Sequence, residues 1–246
     1  MKNHNWMVFF TVSLILSSIL LYVFHYLIFK DVYHIFIYMI GDIAFLPIEV
    51  LLVTLIINRL LNNQEKRSKM NKLNMMIGVF FSMVGTKLLA YLSDFDPDLD
   101  KIKVDLIVSK EWGDEDFSRV NTLLKAYHYS VNIQKIDLEG LRKFLSGNMD
   151  FLLRLLENPI LLEHEYFTEL LWAVFHLAEE LNSRENLMSL PDTDIEHLSG
   201  DIKRVYGLLV REWLGYMKHL KEKYPYLFSL AMRTNPFDQE ASVIVK

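Results

Sequence analysis

Residues 6–29 read WMVFFTVSLILSSILLYVFHYLIF, 24 positions without Asp, Glu, Lys or Arg. As a helix this run rises about 36 Å, enough to cross a bilayer with some tilt. A secretory signal has a shorter apolar core, about 7–15 residues, and ends at a small-residue cleavage site. Here the run ends in Tyr26, Leu27, Ile28 and Phe29 before Lys30. The stretch therefore predicts an uncleaved transmembrane helix, and the rest of the chain is read outward from it.

Only Lys30 and Asp31 separate it from a second apolar run, 32–57. This run holds two acids, Asp42 and Glu49, which together cost about 5–7 kcal/mol at a helix centre. Its sixteen Leu, Ile, Val and Phe residues offset that by roughly 5–10 kcal/mol. Near break-even alone, the segment predicts a span that pairs with the first in a tight hairpin, giving a transmembrane unit over 1–61. Arg59, Lys66, Arg67, Lys69 and Lys72 come next, with Glu65 as the one acid among them. The positive-inside rule places this basic stretch in the cytoplasm, where it sets topology and can also contact anionic lipid.

Residues 73–92 are mostly apolar, with Asn74, Gly78, Ser82, Gly85 and Thr86 recurring at helical spacing, a stripe suited to close helix packing. Two placements are open. The segment lies in the cytoplasmic interface or docks between helices, or it crosses as a third span and carries the C-terminal residues outside. The dense basic charge beside it favours the first. The expectation is a basic linker with an interfacial or re-entrant amphipathic helix over 62–93, and a multi-pass protein of the inner (plasma) membrane with its C-terminal domain cytoplasmic.

Charge divides the chain at the same place. Residues 1–93 hold eight Lys/Arg against four acids, net +4, and 94–246 hold 18 against 27, net −9. The acidic run Asp94, Asp96, Asp98 and Asp100 around Pro97 marks the break. About 150 residues suffice for one domain with its own core. Acids 114–116 suit a helix start, with Asp114 as N-cap, and Asp137 is expected to cap another. A helix over 149–157 stops at Asn158-Pro159, and a stronger one runs from Leu162 to about Asn182. The longest begins at Asp192 or Asp194, its seam Ile195, Leu198, Ile202, Val205, Leu209, Trp213, Tyr216 and Leu220 stepping by three and four. Only 102–108 and 131–136 look strand-like. The fold class is all-α: a transmembrane hairpin, an amphipathic connector and an acidic helical bundle over 94–246.

Two stretches resemble a group of small prokaryotic integral membrane proteins: GDIAFLPIEVLLVTLII at 41–57, and LLENPILLEHE at 155–165 continuing into LLWAVFHLAEEL at 170–181. The resemblance implies membrane residence and carries no chemistry.

The composition excludes several classes. With 52% hydrophobic residues and no cysteine, the chain is neither disordered nor a disulfide scaffold. A net charge of −5 argues against nucleic acid as a partner. No phosphate-cradling glycine loop, His-Glu-x-x-His or Gly-x-Ser-x-Gly occurs, so neither an enzyme nor a cofactor is expected. The main candidate is the polar face of the second span. His34, Tyr38, Asp42 and Glu49 are spaced by steps of 4, 4 and 7 on one side of a helix. Intramembrane acids face a bundle interior, a water-filled path or a polar partner. Pro47 frees a carbonyl on the same segment. Either several copies bring this face together as an ion or proton path, or the acids join helices by bonding to Tyr22, His25 or Tyr26. A second candidate draws on His164, Glu165, Glu169, His176, Glu179, Glu180 and His197. It lacks the paired Glu-x-x-His of di-metal bundles, so no metal is expected, and His176 is read as a core or interface residue. Two functions remain: a homo-oligomeric, channel-like protein passing ions across the bilayer, and a non-catalytic membrane scaffold or signalling adaptor.

Overall fold

Lys30 and Asp31 break the first helix from the second. The computed structural model describes residues 2–161 and 164–244, with side chains from Trp6 onward. Helix α1 is Lys2–Phe29. Lys30 adopts φ 50°, the left-handed conformation that ends a helix, and its N–H donates to Tyr26 O at 2.8 Å. The Asp31 carboxylate then accepts from the N–H groups of Tyr33 and His34 at 2.9 and 3.4 Å, capping the start of α2, Val32–Phe80. Both helices are long and apolar enough to cross a membrane, and neither apolar window has a buried residue.

Among the described residues the fold is all-α, without strands. Two compact units divide at Lys66 and Arg67. The first holds α1 and the apolar part of α2. The second begins with the rest of α2, continues through a π-helical turn Phe81–Gly85 and α3, Thr86–Ser93, and adds α4 Asp114–Ala126, α5 Leu138–Ser146, α6 Met149–Leu156, α7 Glu165–Asn182, α8 Asp192–Lys223 and α9 Pro225–Arg233. Helix α8 is the hub, packing against α3, α4, α7 and α9, while α5 and α6 pack on α7.

This boundary differs from the linker expected over 62–93. The basic residues stand on α2 itself, which has no loop between its apolar part and Phe80. The reason is plain in the chain: no Pro or Gly occurs between Pro47 and Gly78. Segment 73–92 is an integral part of the second unit's core: Leu73, Ile77, Phe80, Phe81, Val84, Leu88, Leu89 and Leu92 are all buried. Of the small-residue stripe, Ser82 is exposed and two glycines have close neighbours within this unit. At Gly78 an added Cβ would sit 3.5 Å from the Tyr216 ring, and at Gly85 it would lie 2.7 Å from Phe81 and 2.8 Å from Phe80.

The two strand-like stretches are irregular, carrying single 3₁₀ turns at Val104–Leu106 and Ile133–Lys135. Ile102 and Leu106 are buried while Val104 is 82% exposed, a spacing of four that a strand does not give. Asp96, from the acidic run, is buried. It accepts from Tyr127 Oη at 2.8 Å and from Asp98 N at 3.0 Å, which satisfies a carboxylate otherwise costly to bury. Burial and this carboxylate push the Tyr127 phenol well above its ordinary range.

Capping departs from expectation in one place. Asp114 is the first residue of α4 and Gly113 the cap, its N–H donating to Asp116 Oδ2 at 2.8 Å. Asp137 caps α5 as expected, accepting from Gly140 N at 2.9 Å. The expected start of α7 at Leu162 lies outside the described residues. His164 caps that helix through Nδ1, which accepts from Phe167 N at 3.1 Å.

Candidate functional site

Within the first unit, α1 and the beginning of α2 enclose a cleft of about 540 Å³. From α1 come Leu14, Ser17, Ser18, Leu21, Tyr22 and His25, and from α2 come Ile35, Tyr38 and Asp42. The α1 positions step by three and four, so one face of that helix carries them; Tyr38 and Asp42 are one turn apart on α2. At the turn end His25 Nε2 and His34 Nδ1 are 3.3 Å apart, close enough for one ring to donate to the other. The His34 and Tyr38 ring centroids are 4.6 Å apart, and Phe29 stacks on His34 at 5.3 Å.

Of the four residues expected to share a face, His34, Tyr38 and Asp42 are on the side toward α1. Glu49 is exposed and not part of the cleft lining. It lies two helical turns beyond Asp42, about 10 Å of rise. Neither Asp42 nor Glu49 has a hydrogen-bond or ion-pair partner among the described residues. The polar contact across the hairpin is made by histidines, not by the acids. Ser17 and Ser18 carry no mark in the sequence. Serine in an apolar helix can satisfy itself on its own backbone, so only its spacing to Tyr22 and His25 points to the cleft.

Arg59, Lys66, Arg67, Lys69 and Lys72 lie after the apolar part of α2 and precede the buried Leu73. All are exposed except Lys69, which is partly buried.

The second candidate set is partly assembled. His176 and Glu180 on α7 meet His197 and Asp201 on α8. His176 Nε2 is 3.7 Å from Glu180 Oε1 and 3.7 Å from Asp201 Oδ2. His197 Nε2 is 3.5 Å from Glu180 Oε2 and 3.4 Å from Asp201 Oδ2. Of the two readings of His176, core or interface, the structure has the second: it is half exposed and faces carboxylates of α7 and α8. His164, Glu165, Glu169 and Glu179 take no part in these pairs. Arg184 organises the network, gripping Asp194 with two bonds of 2.6 and 2.7 Å and donating to Glu180 Oε2 at 2.7 Å. Its guanidinium holds both carboxyls below their ordinary range. Among the described residues no three His, Asp or Glu side chains are disposed to hold a metal ion, and the network joins α7 to α8.

Comparison with known proteins places the chain. Residues 2–61 match a family described as the MJ1433 N-terminal helical domain, and residues 69–233 one described as the MJ1433 C-terminal helical domain. The division agrees with the two units of the structure. The chain is 48% identical over 244 residues to a Methanocaldococcus jannaschii protein described as "Uncharacterized protein MJ1433", covering 99% of this chain and 98% of that one. No solved structure matches. By full-length identity and by both domain matches, this chain belongs to the MJ1433 family.

Proposed function

We propose that the chain is an integral membrane protein whose N-terminal hairpin assembles in several copies into a channel-like path for protons or other cations. The second unit is a helical domain on the cytoplasmic side. The observation that carries this reading is Asp42, a carboxylate without a partner among the described residues, lining a cleft of about 540 Å³ beside Ser17, Ser18, His25 and Tyr38. An acid in an apolar helix needs water, a counter-charge or another copy, and carboxylates gathered in a ring attract cations. Glu49, exposed on the same helix, extends the acidic face between copies. The apolar windows of α1 and α2, without a buried residue, suit lipid and neighbouring copies. The basic stretch from Arg59 to Lys72 supports the cytoplasmic placement.

The test is cation and proton flux in liposomes holding the full chain, with oligomer size measured in parallel. Asp42→Asn and Glu49→Gln are expected to lower flux several-fold and leave assembly unchanged. Absence of flux from correctly assembled wild type, or equal flux from the double variant, overturns the path. The contact between His25 and His34 favours a second reading, a non-catalytic membrane scaffold or adaptor, because it closes a polar contact within one copy. A monomer or dimer in detergent, inert in flux, would be its signature.

A further inference from the structure

We infer that a groove in the helical domain, between the end of α4 and the middle of α8, is a binding site for a phosphate-bearing anion. This site is separate from the hairpin cleft and does not depend on the transport reading. The groove measures about 480 Å³. Lys125, His128, Lys203, Arg204 and Arg211 line it, and among the described residues no carboxylate does. That concentration runs against its surroundings, since residues 94–246 carry 27 acids and 18 bases.

Like charges brought together repel unless an anion or solvent screens them. In this groove the chain supplies little compensation. Lys125 and Lys203 have no ion-pair partner among the described residues. Arg211 is placed by an aromatic ring, its Cζ lying 5.7 Å from the centroid of Tyr166. Arg204 Nη1 stands 3.3 Å from Asp201 Oδ1, a contact that positions the guanidinium and leaves its other N–H groups available. Two planar donor forks and two ammonium groups are the set that recognises phosphate: arginine by paired N–H bonds, lysine as a point charge.

The shape suits a compact ligand. Gly200 and Gly207 both line the groove and lie seven residues apart on α8, hence on one face. A glycine inside a helix weakens it relative to alanine. At Gly207 the reason is internal, because the Tyr129 ring comes within 3.1 Å of where a Cβ would sit. At Gly200 nothing lies within 4 Å, and the space is open to the groove. Tyr129 forms a firm wall, edge-to-face with Tyr127 at 5.0 Å and with Tyr206 at 5.4 Å. Its hydroxyl donates to Leu124 O at 3.2 Å.

A phosphate group could reach this groove on a small soluble molecule or on a lipid headgroup. Binding of inorganic pyrophosphate and of dioctanoyl phosphatidic acid to the full chain in neutral detergent separates the two. The Lys203→Gln/Arg211→Gln double variant is compared with wild type and with Lys101→Gln, an exposed lysine outside the groove. Each substitution removes a charge-assisted bond, so the double variant is expected to bind at least roughly tenfold more weakly. The control should bind like wild type, and the helical signal should be the same for all three. Saturable pyrophosphate binding with this pattern supports a soluble ligand, and the same pattern with the lipid alone supports a headgroup. No saturable binding of either probe, or equal binding by wild type and double variant, overturns the site.

Discussion

Glu212 sits partly buried on α8, and burial pushes its carboxyl up to about 7, with Arg211 pulling the other way. In the unfolded chain the same group titrates near 4.3. Between those values the folded chain holds a proton that the unfolded chain releases. Stability is therefore greatest below about pH 4.3 as far as this group is concerned, and falls as pH rises toward 7 and above. Glu212→Gln keeps the shape and removes the titration. Urea unfolding at pH 5 and pH 8 should show wild type losing about 1–3 kcal/mol relative to the variant across that interval. A constant difference between the two proteins would mean that Glu212 reaches solvent in the fold. The neighbouring sequence gives little warning of this group. Glu212 lies beside Trp213, a seam position, and a charged residue at that flank reads as solvent-facing until the packing around α8 is known. His176 reads as core or interface from its flanks Trp172, Phe175 and Leu177; it lies at the α7–α8 interface, half exposed and beside carboxylates from both helices.

The π-helical turn Phe81–Gly85 is the point where α2 gives way to α3. Such a turn inserts extra length into a helix and often marks a functional site. Phe80 and Phe81 meet edge-to-face at 5.3 Å, and Phe81 stacks on Tyr216 at 5.0 Å. With both phenylalanines buried, neither ring can yield readily to a new Cβ at Gly85. Gly85→Ala is expected to destabilise the domain by about 1–3 kcal/mol. Gly78→Ala, ahead of the π-helical turn in the chain, meets Tyr216 at ordinary contact distance and should be neutral or stabilising by up to about 1 kcal/mol. Denaturant unfolding of both variants checks the contrast, and equal effects would show that the turn relaxes. The regular helices of the second unit were legible because their apolar steps match the buried positions: Leu198, Ile202, Val205, Leu209, Trp213 and Leu220 all lie in the core. The placement of 73–92 was not legible. An apolar helix with a small-residue stripe carries the same pattern whether it packs on lipid, on a neighbouring span or on α8. The feature that did speak for an unbroken α2 was the lack of any helix breaker from Ile48 to Ile77. In the hairpin, the four-residue spacing of His34, Tyr38 and Asp42 was readable, while the contribution of α1 needed the register of two helices.

At the scale of the whole molecule, the boundary at Lys66 and Arg67 makes a prediction that the charge break near Ser93 would get wrong. Charge changes sign where the acidic run begins, but the hydrophobic core does not end there. Phe80, Phe81, Val84, Leu88, Leu89 and Leu92 are each 0–1% exposed and precede that run. Burying such side chains stabilises a fold by about 1.5–3 kcal/mol each, so the six contribute about 9–18 kcal/mol. That is of the same size as the net stability of an ordinary domain, about 5–15 kcal/mol. A chain starting at Arg67 keeps them, and one starting at Pro97 uncovers the part of α8 that packs on α3 and the π-helical turn, including Tyr216, on which Phe81 stacks. Residues 67–246 alone should be soluble, strongly helical and unfold in one cooperative step. Residues 97–246 should aggregate or bind a hydrophobic dye with broad, weak unfolding, the signature of lost packing. Circular dichroism, dye fluorescence and denaturant titration of the two fragments decide it. Cooperative unfolding of the shorter fragment with a midpoint equal to that of the longer would show that α8 finds its core without α3, and would return the domain boundary to the acidic run.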